Sequence, residues 1–493
     1  MNLASAFAAS AEKHLHKTAL CWGEEVYSYE MVLRQTRKLA AHLQQNRGVK
    51  TGDRVGLWLK NCPQFVPALF GTLMAGGAVV PINNFLKPDE VSYILADAEA
   101  DVLITDATMA EAARKLSAAR PHLKIWQVEE FVRIGAGETA ALSCDRAESD
   151  LAVLIYTSGT TGRPKGAMLS HGNLLVNVES CRQVLAAVEA DRFVVLLPMF
   201  HSFMLCVGVL LPLLVGGSMV LIKSVHPPKN ILLEILHHRA TIMPAVPPLF
   251  RTLANAHVPK DFPLRVCISG GAPLPVEILR EFNEKVPNIP LIEGYGLSEA
   301  SPVVSMNPVA GPWKAGSIGL PIPDVEVTVQ DEKGAVLPIG KTGEICVRGG
   351  NVMMGYWKQP AETAKVLRNG WLLTGDIGHQ DADGYFYITD RKKDMLLVNG
   401  INVYPREIEE IIYKFPGVKE AAVIGVPDTR KGEQPLAFVS AKEGAQLEER
   451  ALLQFVREKL ADYKVPRRVV FMPALPRNAT GKILKTALRQ QAA

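Results

Sequence analysis

At 493 residues the chain exceeds what one ordinary hydrophobic core organises, so two or more domains are expected. Hydrophobic residues make up 48% and charged residues 21%, the balance of a soluble globular protein; a net charge of +4, with no run of five basic residues, argues against a nucleic-acid partner. The seven cysteines are scattered, with no CxxC or Cys/His cluster, which argues against a disulfide framework or structural zinc and fits a reducing, cytoplasmic setting.

The start, Met1-Asn-Leu-Ala-Ser-Ala-Phe7, lacks a basic opening and soon meets Glu12, Lys13 and His14, unlike a signal peptide. Arg54-Val-Gly-Leu-Trp-Leu59 reads as a strand, and residues 63–74 as a helix with apolar Phe65, Val66, Leu69, Phe70 and Leu73. Ala78-Val-Val-Pro-Ile82 is a strand, 88–96 a helix and Val102-Leu-Ile-Thr105 a strand again. Strand–helix alternation of this kind implies largely parallel sheets covered by helices, and it recurs around 193–197, 218–222 and 264–268.

Leu151-Ala-Val-Leu-Ile155 predicts a buried strand, followed at once by Tyr156-Thr-Ser-Gly-Thr-Thr-Gly-Arg-Pro-Lys-Gly166. Glycines bring backbone N–H groups close to a ligand, hydroxyls add donors and Lys165 adds a mobile charge, as a polyanion such as a triphosphate requires. The Walker spacing GxxxxGK[ST] is absent, and the competing reading is a flexible polar surface loop. The most apolar stretch, 203–222, is split by Pro212 and Gly216-Gly217, which favours a buried helix–turn–strand over a membrane span.

Further along, Ser269-Gly-Gly-Ala-Pro273 follows a strand and lets backbone approach a flat ligand. Glu293-Gly-Tyr-Gly-Leu-Ser-Glu299 offers an aromatic face, a hydroxyl and two carboxylates. From about residue 320 the pattern changes: Val325-Glu-Val-Thr-Val329, Gly343-Glu-Ile-Cys-Val-Arg348 and Tyr385-Phe-Tyr-Ile388 alternate in period two, as antiparallel strands with one wet face do. Trp371-Leu-Leu-Thr-Gly-Asp376 reads as an apolar strand ending on an aspartate suited to a ribose diol. Thr389-Asp-Arg-Lys-Lys-Asp394 is a charged segment after which helix and strand signals restart at Pro405, Ala421-Ala-Val-Ile-Gly425 and 447–460. A boundary there divides the chain into 1–390 and 391–493; one more surface loop inside a single domain is the alternative. Near the end, Asn478-Ala-Thr-Gly-Lys-Ile-Leu-Lys485 sets Lys482 behind a small turn. Taken singly, each of these segments also has an ordinary structural reading.

The set YTSGTTGRPKG, EGYGLSE, LLTGD, DRKKD and NATGKILK resembles the acyl-adenylate-forming superfamily of acyl-CoA synthetases, peptide-synthetase adenylation domains and luciferases, in the family's order from about residue 150 to the end. Leu197-Pro-Met-Phe-His-Ser202, Glu299-Ala-Ser-Pro302 and Leu397-Val-Asn-Gly-Ile-Asn-Val-Tyr-Pro405 look most like bacterial fatty acid–CoA ligases. The resemblance implies an α/β fold: a large N-terminal domain of parallel and mixed sheets flanked by helices, a β-rich subdomain at about 320–390, and a small mobile α+β C-terminal domain hinged near Lys393.

It also implies ATP, Mg²⁺ and CoA as cofactor and cosubstrates, with a fatty carboxylate first converted to acyl-AMP. On this pattern Thr157, Ser158, Gly159, Thr160, Thr161 and Lys165 would hold the β- and γ-phosphates. Gly271, Ala272 and Pro273 would sandwich adenine with Tyr295, in a segment running through Glu293, Gly294, Gly296 and Leu297 to Ser298 at the α-phosphate. Asp376 and Arg391 would take the ribose, Glu299 with Thr157 the metal, and Lys482 the carboxylate and α-phosphate. Gly400 would make room for pantetheine after rotation at Lys393, a lysine where other members have aspartate. His201 would orient the substrate or serve the fold, and Met204, Leu205, Val207 and Gly208 with Ala245-Val-Pro247 would line an aliphatic tunnel or simply pack as core. An aryl–CoA ligase, a carrier-protein loader and a non-catalytic nucleotide binder remain alternatives, with peripheral membrane contact and the choice of monomer or homodimer left open.

Overall fold

The structure, a computed structural model, describes residues 1–133, 145–157, 163–256, 258–259, 261–428, 431–478 and 481–492. The expected alternation is realised in two large sheets. In one, the strands Arg54–Trp58, Ala78–Pro81 and Ala100–Thr105 pair in parallel, and Leu151–Thr157 joins them beside Ala78–Pro81. Lys165–Ser170 then returns antiparallel to Leu151–Thr157, with Thr157 opposite Lys165. In the other, Arg192–Val195, Ser218–Leu221, Ile242–Ala245, Val266–Ser269 and Leu291–Gly296 run parallel. Helix Phe65–Met74 is buried along nearly its whole length, which explains why its sequence is apolar on every face.

Four local expectations need correction. The apolar stretch 203–222 does fold as helix, turn and strand, but its first part is a π-helix, Met204–Leu210, continued by the α-helix Leu211–Val215. No described helix is long and apolar enough to cross a membrane. The strand Gly343–Gly349 lacks a wet face at its centre: Ile345, Cys346 and Val347 are all buried. Ile345 and Val347 point to one face, where they join the clusters containing Phe386 and Leu372, and Cys346 points to the other and is buried too, so both faces are covered.

The strand carrying Asp376 does not end there but runs Trp371–Gln380, placing Asp376 opposite Arg391 of the antiparallel strand Phe386–Arg391. That second strand also absorbs half of the charged segment at which the sequence places the boundary. Its Asp390 is buried and accepts the backbone N–H of Arg406 at 2.8 Å and of Arg391 at 2.7 Å.

Beyond it, Leu396–Val398, Ile401–Val403, Val418–Asp428, Gly432–Ala441 and Val469–Phe471 form a separate sheet. Helices Pro405–Tyr413 and Glu449–Arg457 fill one of its faces, through Ile408, Ile412, Leu452 and Val456, and Leu488 of helix Lys485–Ala492 packs in a cluster with Ala422 and Phe438. Among the described residues, no hydrophobic cluster joins residues on both sides of position 390.

Candidate active site

The site gathers where the two large sheets meet the C-terminal unit. Strand Leu151–Thr157 delivers Thr157 at its end; Ser158, Gly159, Thr160 and Thr161 lie outside the described residues. Lys165 opens the return strand, is buried, pairs with Glu362 and lies 5.3 Å from the centroid of the Tyr356 ring. Hydrogen bonds from Lys165 and Lys365 hold the Glu362 carboxyl down to about 2. Neither Tyr356 nor Glu362 was anticipated. The only signal for Glu362 is its place in the first turn of helix Pro360–Val366, behind an N-terminal proline.

Strand Leu291–Gly296 and the following turn supply the next group. Gly296 is required by crowding, since a Cβ there would meet the Pro302 carbonyl oxygen at 2.0 Å. The Tyr295 hydroxyl donates to Asp376 Oδ2 at 2.6 Å, and Arg391 Nε lies 3.0 Å from Asp376 Oδ1. Burial, and then the Asp376 charge, push the Tyr295 phenol well up, so it remains a proton donor. Ser298 Oγ is 3.0 Å from Ser202 Oγ, a second partner the sequence did not announce. Glu299 Oε1 accepts the Tyr356 hydroxyl at 2.9 Å and the Thr157 hydroxyl at 3.4 Å. A carboxylate and a hydroxyl are hard oxygen donors of the kind Mg²⁺ takes, so this pair fits the expected ion.

Glu293 and the glycine loop behave differently. Its buried carboxylate accepts the Leu274 N–H at 3.0 Å, which braces the 271–273 loop. Burial pushes this carboxyl up to about 7, against the opposing pull of the Arg406 charge. Gly271 has φ +76, and Gly294 lies within the strand beside it.

Lys482 arrives from the C-terminal unit. Its turn is closed by the bridge between Arg477 and Ile483, by its own N–H donating to Asn478 Oδ1 at 2.9 Å, and by Arg477 Nη1 donating to the Gly481 carbonyl. Among the described residues its Nζ makes no hydrogen bond or ion pair. Burial and the Arg391 charge lower its pKa to about 8, with Lys393 adding to them and Asp376 and Asp394 opposing. His201 faces the same charge: burial, then Lys482, push it down to about 4, so its ring is neutral near pH 7. His201 Nδ1 accepts the Phe203 N–H at 3.3 Å, which leaves the ring proton on Nε2.

Two expected residues are not gathered here. Lys393 is exposed in the turn after Arg391, near enough for its charge to reach Lys482. Gly400 is at the exposed tip of the hairpin between Leu396–Val398 and Ile401–Val403, with φ +76 and nothing within 4 Å of a Cβ, so conformation alone favours glycine.

With this geometry in hand, the chain can be set beside known proteins. Residues 7–357 match the family described as AMP-binding enzyme and residues 407–482 the AMP-binding enzyme C-terminal domain. The chain belongs to the AMP-binding enzyme family. It is similar to the long-chain-fatty-acid–CoA ligase of Bacillus subtilis (strain 168), 38% identical over 530 residues that cover 99% of this chain and 94% of the relative. Feruloyl-CoA synthase from Amycolatopsis sp. is also 38% identical, over 490 residues covering 97% of this chain and 96% of that protein. The ATP-bound crystal structure of MatB from Rhodopseudomonas palustris superposes with a TM-score of 0.92 at 34% identity, covering 100% of this chain and 99% of that one. The apo structure of the same protein gives 0.80.

Proposed function

We propose that this protein is an AMP-forming acid–thiol ligase that converts a long-chain fatty acid, ATP and CoA into acyl-CoA, AMP and pyrophosphate. One observation carries the chemistry: Lys482, whose Nζ has no partner among the described residues, reaches the charge field of Asp376 and Arg391 from a separate unit. The fatty-acid assignment is supported by the Bacillus subtilis relative, similar along almost the whole of both chains.

In the first half-reaction a carboxylate oxygen attacks the α-phosphorus, the bond to the bridging oxygen breaks and pyrophosphate leaves. Two anions must meet, so fixed positive charge decides the rate. Lys482 supplies it at the reacting centre, and Lys165 supplies it at the departing phosphates. Glu299 and Thr157 would hold Mg²⁺, which offsets phosphate charge when bound. Asp376, oriented by Tyr295 and Arg391, accepts the ribose hydroxyls, and the 271–273 loop with Tyr295 encloses adenine. In the second half-reaction the CoA sulfur attacks the acyl carbonyl carbon, the thiol proton is lost and AMP leaves.

We assign residues 1–390 to the large domain and 391–493 to the small one, hinged at Lys393. The absence of hydrophobic clusters spanning position 390 among the described residues supports that division. Rotation there exchanges Lys482 for the hairpin around Gly400, whose open surroundings leave space for pantetheine.

Carboxylate-dependent pyrophosphate exchange across a panel of alkyl and aryl acids, followed by AMP release with and without CoA, tests the reading. Long-chain acids should give the highest exchange and CoA-dependent AMP. A preference for aryl acids would instead favour the second reading, an aryl–CoA ligase, which the equal identity to feruloyl-CoA synthase supports. Exchange without a CoA-dependent product would indicate carrier loading, and silence throughout would indicate nucleotide binding without turnover.

A further inference from the structure

The helices Pro247–Asn255 and Val276–Lys285 of the large unit meet the C-terminal unit through three charged side chains. Arg251 Nε donates to Glu281 Oε2 at 2.9 Å, and Lys442, from just beyond strand Gly432–Ala441, donates to Glu281 Oε1 at 2.6 Å. Arg251 and Glu281 are both buried while Lys442 is partly exposed. Burial raises the Glu281 pKa, but the Lys442 hydrogen bond and the Arg251 charge outweigh it, leaving the carboxylate ionised.

Arg251 has a second contact across the same boundary. Its Nη1 donates to the carbonyl of Lys419, in strand Val418–Asp428. The register of that strand shifts between Val418 and Glu420, so Lys419 drops out of the pairing with its neighbour strand. The next residue, Glu420, pairs with Arg477, and Arg477 holds the Gly481 carbonyl, one residue before Lys482. The start of the Arg251 helix touches the same turn: a Cβ on Gly481 would be 3.3 Å from Val246 Cγ2. One helix therefore braces the Lys482 turn directly at one end and through Lys419, Glu420 and Arg477 at the other.

We propose that Arg251, Glu281 and Lys442 form an interdomain clamp that positions Lys482 for adenylation and must open before thioester formation. This rests on the ligase reading above and names positioning residues for its first half-reaction; none of the three touches the reacting atoms. The clamp is releasable by construction: among the described residues Arg251 Nη2 is buried without a partner, and the Lys442 arm is partly open to water, which weakens ion pairs. A fully satisfied buried network would hold one arrangement and stall the cycle.

The test separates the two half-reactions in full-length protein, using palmitate for pyrophosphate exchange and supplied palmitoyl-AMP with CoA for thioester formation. Glu281→Gln, which removes charge but keeps shape, should lower exchange about 10-fold, the scale of a typical coupling between sites, while thioester formation holds or rises. Lys442→Ala should lower exchange about threefold, as loss of a partly exposed ion pair does, and Lys442→Arg should restore it. If Glu281→Gln is too unstable to assay, the two Lys442 variants decide. Equal loss of both half-reactions, or unchanged exchange in Lys442→Ala, overturns the clamp. Absence of exchange in the wild-type protein across the acid panel would instead overturn the ligase reading itself.

Discussion

Lys165 and Lys482 both approach the site from glycine-bearing segments, yet they stand in opposite physical situations. Lys165 is fixed within the large unit, buried beside the Tyr356 ring and paired with Glu362. Lys482 comes from the other unit, carries no paired carboxylate among the described residues, and has its pKa drawn down to about 8 by burial and neighbouring cations. In the proposed ligase the first is a preformed half of the site. The second is delivered, and delivery across an interface allows a charge to be present for one reaction and absent for the next.

If delivery matters more than holding, Lys482→Ala should show the largest effect. Acid-dependent pyrophosphate exchange should fall by at least ~10²-fold, the cost of removing one preorganised donor at a reacting centre, with thioester formation from supplied acyl-AMP much less affected. Equal losses in both would end the contrast between the lysines. Lys393→Pro should give the complementary defect, near-normal exchange with thioester formation reduced about 10-fold or more, because the hinge can no longer turn. Normal thioester formation in that variant would remove the hinge assignment.

Lys165→Met should be milder, raising the KM for ATP by about 10-fold with a smaller change in kcat, since a holding contact is made before and during the reaction. A kcat defect as deep as that of Lys482→Ala would make the two lysines equivalent. The smallest effect is in pH. Lys482 keeps its proton below about 8, so exchange measured as kcat/KM for ATP should decline as pH rises through that value, without a matching limb in thioester formation. His201, lowered to about 4, is neutral above that and should add no limb near pH 7.

Legibility in the sequence followed the range of the interactions involved. The strands at Arg54–Trp58 and Leu151–Thr157 and the helix Phe65–Met74 were readable because burial imposes local apolar patterns. The segments bearing Thr157, Tyr295, Asp376 and Lys482 were readable because glycines, hydroxyls and charges cluster there against packing preference. What pairs with them was hidden. Ser202 beside Ser298 and Glu362 beside Lys165 join residues far apart in the chain, through contacts that leave no periodic trace.

Asp376 was misread as a strand end because Thr374-Gly-Asp376 is polar, whereas pairing with Phe386–Arg391 carries the strand on to Gln380. The π-helix at Met204–Leu210 was likewise invisible, since a backbone hydrogen bond that reaches one residue further leaves no mark on a uniformly apolar sequence.

The Lys165–Glu362 pair has a further consequence. With Lys165 in its proposed role at the phosphates, Glu362 is a tethered counter-ion already occupying that cation, so every anion entering must displace a carboxylate held at high local concentration. A singly charged anion gains nothing by that exchange, while a polyphosphate offers more charge than it replaces. On the proposed function such a site ranks anions by charge density, and it regains its own neutraliser each time pyrophosphate departs.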